Sequence, residues 1–207
     1  NAHPVTTNNL EAKRFFNQGL NLLYGFNHDM AYWSFQKAVA LDPDFAMGYW
    51  GMALALGPNI NMDISGKSEK KAFEHIQKAK QLLSHITESE KDYILALSQR
   101  YTDAKNPNLK QLNLNYNVAM KNVMEKYPDD PDAAVLYAES ALDLNPWRQW
   151  TPAGEPVAGT LEIVDVLESV LKRVPHHLGA NHYYIHAIEA SKHPEYALVS
   201  AERLRKL

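Results

Sequence analysis

An all-α fold made of stacked helix pairs is predicted by three observations. A spelling with small residues, an aromatic and a proline at fixed offsets, Ala31-x3-Phe35-x2-Ala38-x4-Pro43, returns near the end of the chain as Ala197-x3-Ala201-x2-Leu204. The register is shared, since Gly19 precedes Ala31 by twelve positions and Ile185 precedes Ala197 by twelve. Strand signals, by contrast, are absent from the pattern of apolar residues.

The first pair reads as helices over 9–24 and 28–41. Gly19, Ala31 and Ala38 let the two backbones approach, Phe35 fills the space above them, and Pro43 in Leu41-Asp42-Pro43-Asp44 ends the second helix. Between them Gly25 reads as a helix stop, Asn27 as an N-cap and His28 as a surface turn residue. The second pair places Trp50 and Ala53 on one helix and Ala72, Ile76 and Ala79 on the next. Ala53 and Ala72 stand nineteen positions apart where the pattern expects twelve, so seven residues are inserted within the turn-rich stretch 57–66.

The third pair reads over 88–102 and 109–127, closed by Tyr127-Pro128-Asp129-Asp130-Pro131. The fourth reads over 132–144 and 161–174, with a second long loop at 145–159 that carries Pro146, Trp147, Trp150, Pro152 and Pro156. Two tryptophans on a proline-rich loop predict that it packs back on the helices. The fifth reads over 180–191 and 195–207. The units thus span about 9–43, 44–86, 87–130, 131–176 and 177–207, in one domain over 1–207. No single pair can bury both its apolar faces, so each neighbour completes the core of the last.

Hydrophobic residues at 45% and charged residues at 22% suit a globular chain. A formal net charge of -3, with no Lys/Arg block, argues against nucleic acid or an anionic membrane as partner. No apolar run approaches the length that inserts across a bilayer. The absence of cysteine excludes disulfides and thiolate metal sites. A start at Asn1-Ala2-His3 without methionine reads as the remnant of a removed tag on a chain cut after a signal peptide. Leu207 falls inside the last expected helix with no polar capping helix beyond it, which predicts that the natural chain continues.

The unusual chemistry lies in the fifth unit, where His176, His177, His182, His186 and His193 are five of nine histidines. On a helix, His182, His186 and Glu189 lie within roughly 60° of one another over about 10 Å of rise. Two imidazoles one turn apart and a carboxylate a turn further suit zinc or a similar divalent ion. With a metal there, Glu189 or Glu139 becomes a third ligand or the general base for a bound water, as in metal-assisted hydrolysis. The same histidines suit, first, a structural role, hydrogen-bonded to Tyr, Glu139 or loop carbonyls, and also direct contact with a ligand without a metal. The run is not the His-Glu-x-x-His metalloprotease motif, and phosphate-loop, nucleophile-elbow and dinucleotide motifs are missing.

The period near 34 residues and the small-aromatic-proline spelling resemble the tetratricopeptide repeat family, over nearly the whole chain. The resemblance implies a right-handed α-α superhelix whose concave face binds a peptide or protein segment, with no cofactor required. It implies that His182, His186 and Glu189, aligned with Phe16, Leu20 and Leu23 of the first unit, look into the groove, with Glu139 in the place of His186 one unit earlier. Trp50, Asn59, Asn61, Glu139 and Trp147 are then the expected groove contacts, the two asparagines through amides that bond peptide backbone. Co-chaperone members grip carboxylates with an asparagine after the small residue of the first helix; here Leu20 follows Gly19 and Leu54 follows Ala53, so that clamp is missing. Tyr24-Gly25-Phe26-Asn27-His28, Gly57-Pro58-Asn59-Ile60-Asn61, Tyr127-Pro128-Asp129-Asp130 and the run from Asn181 to Glu189 look like a group of bacterial tetratricopeptide proteins of unassigned function. Many of that group are exported, which implies a periplasmic rather than a cytoplasmic location. Oligomeric state is left open.

Overall fold

The computed structural model describes residues 2–206, so Asn1 and Leu207 lie outside the described residues. The described residues form ten α-helices with no strand. In order they are α1 Leu10–Tyr24, α2 His28–Leu41, α3 Ala46–Ala55, α4 Gly66–Gln81, α5 Glu88–Ser98, α6 Leu109–Lys126, α7 Pro131–Leu144, α8 Thr160–Arg173, α9 Leu178–Ile188 and α10 Leu198–Leu204. Most helix starts are capped by side chains, Asn27 among them as expected. Asn9, Asn27, Ser65, Asn108 and Asp130 each accept backbone N–H bonds, and Thr87 forms a capping box with Glu90.

Small residues sit where helices cross. A Cβ on Gly19 would come within 2.8 Å of the Phe35 ring, and one on Gly51 within 2.4 Å, so Phe35 is seated between α1 and α3 only because both positions lack a side chain. Ala12, Ala31, Ala38, Ala53, Ala72 and Ala79 are completely buried on α1 to α4. Truncating a ring seated like Phe35 costs about 3–5 kcal/mol in core series.

Three helices end differently from expectation. Helix α5 stops at Ser98 rather than 102, because the N–H groups of Gln99 and Arg100 bond three residues back and Tyr101 turns away to donate its hydroxyl to the Ala53 carbonyl at 2.8 Å. Helix α9 spans Leu178–Ile188 rather than 180–191. The stretch expected as helix over 195–207 opens as a 3-10 turn, Pro194–Ala197, before α10.

Each helix packs on the next. The first helices of the pairs also meet one another: α1 with α3, α3 with α5, α7 with α9, and α9 with α1. Between α5 and α7 the link is polar and runs through their ends, with Tyr93 of α5 donating to Asp130, the cap of α7, at 2.7 Å, and Arg100, just past α5, donating to Asp143 of α7 at 2.7 Å. These helices therefore make a closed circuit, and the face they share is core. Phe16, Leu20, Trp50, Tyr93 and Tyr183 fill it. An N-terminal strap crosses one side of the circuit, where Thr6 bonds the Glu90 carboxylate through its N–H and its hydroxyl.

The loop at 145–159 packs back on the helices. Trp150 donates its indole N–H to the Ala187 carbonyl at 2.7 Å, Glu155 pairs with Lys192, and Gly154 lies against the Lys192 backbone in the left-handed region that excuses it from carrying a Cβ.

Candidate functional site

The sequence-selected residues divide into two groups. Trp50 and Glu139, expected in an open groove, are only 1% and 6% exposed. Trp50 packs on Phe16 and Tyr93. Closure of α9 on α1 is the physical reason, since it turns the expected groove into interior. Glu139 faces Asp143 and Arg100 rather than serving the histidines. Burial, then the neighbouring Asp143, holds its carboxyl well above the usual range, with Arg100 opposing. Asp143 itself is pushed up to about 6 by burial, against the pull of Arg100.

Asn59 is buried as well and acts inside its own loop. Its side-chain oxygen accepts from the Asn61 N–H at 2.9 Å, and its amide lies 3.2 Å from His28 Nε2. The Asn61 side chain is exposed. His28 is not a surface turn residue: it opens α2, is buried, and bonds the Ala55 carbonyl at 3.0 Å.

His182 and His186 do come together. Their Nε2 atoms are 3.1 Å apart. On the far side of each ring the Nδ1 atom is held: His182 Nδ1 lies 2.6 Å from the Tyr24 carbonyl and His186 Nδ1 lies 2.8 Å from Glu189 Oε1. Glu189 thus orients His186 instead of standing free as a ligand or base. Burial lowers the His182 pKa, the Tyr24 carbonyl opposes that, and His186 lowers it further.

Two aromatic residues wall this pair. Phe26 stacks on His186 at 5.7 Å and lies 4.6 Å from His182, while Trp147 meets His186 edge-on at 5.6 Å. These are the two non-glycine residues with positive φ among the described residues, at 58° and 60°. Helix α1 ends in a Schellman motif in which Phe26, not Gly25, takes the left-handed place: Asn27 N–H reaches the Leu22 carbonyl and Phe26 N–H the Leu23 carbonyl. Trp147 follows Pro146 in a turn closed by Arg148 N–H on the Asn145 carbonyl, in a position that usually takes glycine. Such conformations cost of order 1–3 kcal/mol each and gather at functional sites. Both strained residues touch one histidine.

No family model matches the chain, and no curated protein matches it.

A second polar centre was invisible in the sequence. Asp132, near the start of α7, accepts from His3 Nδ1 at 2.8 Å, from Tyr24 at 2.5 Å and from His177 Nε2 at 3.0 Å. His177 Nδ1 accepts the Ala180 N–H, so its proton sits on Nε2 and points at Asp132. Ligand atoms of His3, Asp130 and Asp132 lie within 4.8 Å of one another, a set that could hold a metal ion. The four carboxylate oxygens already have protein donors, with Tyr93 and the Asp132 N–H serving Asp130. An ion there would need His3 Nδ1 to give up the proton it donates to Asp132, and the centre as it stands is a hydrogen-bonded lock.

An open groove lies elsewhere among the described residues. Between α5 and α6 a concavity of about 660 Å³ is lined by Leu95, Leu114 and Val118 together with the amides of Gln99, Asn115 and Asn122. All three apolar side chains are exposed.

Proposed function

We propose that the chain is a binding protein of the tetratricopeptide type, a right-handed superhelix of five helix pairs, which holds a peptide or protein segment in the groove between α5 and α6. The finer fold rests on the recurring small-aromatic spelling and on the packing of each helix against the next. The observation that carries the function is the exposed set Leu95, Leu114 and Val118 in that groove, beside amides able to bond a peptide backbone. An amphipathic helix or an extended segment with spaced apolar residues fits this chemistry.

The hydrolase alternative has less support. Its two candidate bases are committed, Glu189 to His186 and Glu139 to the buried pair with Asp143.

A displayed-peptide selection tests the binding reading. Peptides with apolar residues at helical or alternating spacing are expected to be enriched on the wild-type protein and lost on a Leu114→Arg/Val118→Arg variant. Enriched peptides that bind the variant equally well would move the site away from α5 and α6.

A further inference from the structure

His182 Nδ1 faces a backbone carbonyl, which only accepts, so that nitrogen carries a proton. His186 Nδ1 faces a carboxylate in the same way. With both Nδ1 atoms acting as donors, the lone pairs of both Nε2 atoms turn toward one gap. That gap needs a positive charge. Metal-binding histidines typically have this arrangement, with the second ring nitrogen donating to a carbonyl or a carboxylate.

The spacing fits an ion seated between the rings better than a straight hydrogen bond between the two nitrogens. A straight N–H···N bond along both ring axes would hold the ring centres about 5.4 Å apart at this nitrogen separation. An ion about 2.05 Å from each nitrogen, on both lone-pair axes, would bring the centres to about 4.8 Å. They are 4.8 Å apart, with the nitrogens 3.1 Å apart. The bite corresponds to two adjacent ligands of one ion, separated by about 100° at the metal.

From this geometry we infer that His182 and His186 form a two-histidine chelate for a divalent ion of the zinc, cobalt, nickel or copper(II) class, with Tyr24 and Glu189 orienting the rings. Neutral imidazoles suit these ions, whereas magnesium and calcium want oxygen. Two protein ligands leave further positions to water or to a small-molecule ligand. Phe26 and Trp147 shape the outer wall, which explains why the chain accepts left-handed backbone at two bulky residues there. Glu189 is an orienting residue and not a ligand, which corrects the set of three read along the helix stripe.

Calorimetric titration of the metal-stripped protein with zinc chloride, and visible absorption on titration with cobalt chloride, test the site. One ion per chain is expected. His186→Gln, at a partly exposed position, should abolish that stoichiometric binding, and His182→Gln should do the same with the helical circular-dichroism signal retained. Glu189→Gln should weaken binding roughly 10–100-fold while leaving the stoichiometry at one. A His176→Gln/His193→Gln variant removes exposed histidines and should bind as wild type does. Stoichiometric binding that survives His186→Gln, or that is lost with His176 and His193, would overturn the assignment, and so would no binding above the level of the His186→Gln protein.

Discussion

His182 and Tyr24 stand 158 positions apart in sequence and are joined by a 2.6 Å bond from the imidazole to the backbone carbonyl. Tyr24 holds two centres at once, because its hydroxyl donates to Asp132 at 2.5 Å. The end of α1 therefore ties α9 to α7 and closes the circuit of first helices.

Tyr24→Phe removes the hydroxyl and leaves the carbonyl in place. Asp132 then loses one of its three side-chain donors inside the protein, and a cost of about 1–3 kcal/mol is expected. Urea unfolding measures this. Zinc binding at His182 and His186 should persist in the variant, since the carbonyl that orients His182 is unchanged.

The His3 contribution depends on pH. Burial works to lower its pKa, but the hydrogen bond and charge of Asp132, with Asp130 and Glu90 adding, outweigh burial and raise it. A raised histidine stabilises fully below its unfolded pKa of about 6.5 and loses that stabilisation as pH rises through the folded value. Wild type should thus exceed His3→Gln in stability by more at pH 5.5 than at pH 9. A margin that is flat or widens with pH would count against the ion pair.

Glu139 and Arg100 should differ sharply in what their substitution costs. Burial and the neighbouring Asp143 push the Glu139 carboxyl well above its usual range, and on that direction the isosteric Glu139→Gln is expected to cost under about 1 kcal/mol. Arg100→Met strands Asp143 without its cation and should cost about 3–5 kcal/mol. Similar costs for the two variants would show that Glu139 is ionised in the folded protein.

Gly51→Ala drives a methyl group into the Phe35 ring and should destabilise by about 1–3 kcal/mol. Combining it with Phe35→Leu makes room, so the double variant should be less damaged than the sum of the single changes. Strict additivity would mean that the two positions are not in contact.

The helices were legible in the sequence because their signals are local. Gly19, Ala31, Phe35 and Pro43 act within one pair, and the stripe from His182 to Glu189 lies on one helix, so spacing alone places them. What brings Tyr24 to His182, or Arg100 to Asp143, is the accumulated turn of several pairs, which no local spacing encodes. The burial of Trp50 and Glu139 follows from that closure and was missed with it. Phe26 escaped notice for another reason: glycine is the usual left-handed helix stop, and here the adjacent phenylalanine takes the strained place. Trp147 left a trace in Asn145-Pro146-Trp147-Arg148, a turn spelling with the wrong residue at its third position. His3 and His177 gave no signal, since their partner Asp132 lies on a distant helix.

The most direct measurement is anomalous diffraction at the zinc absorption edge from crystals of the zinc-loaded protein. The account predicts one strong peak about 2 Å from both His182 Nε2 and His186 Nε2, with Glu189 on His186 Nδ1. A peak among His3, Asp130 and Asp132 instead, or none between the two rings, would contradict it.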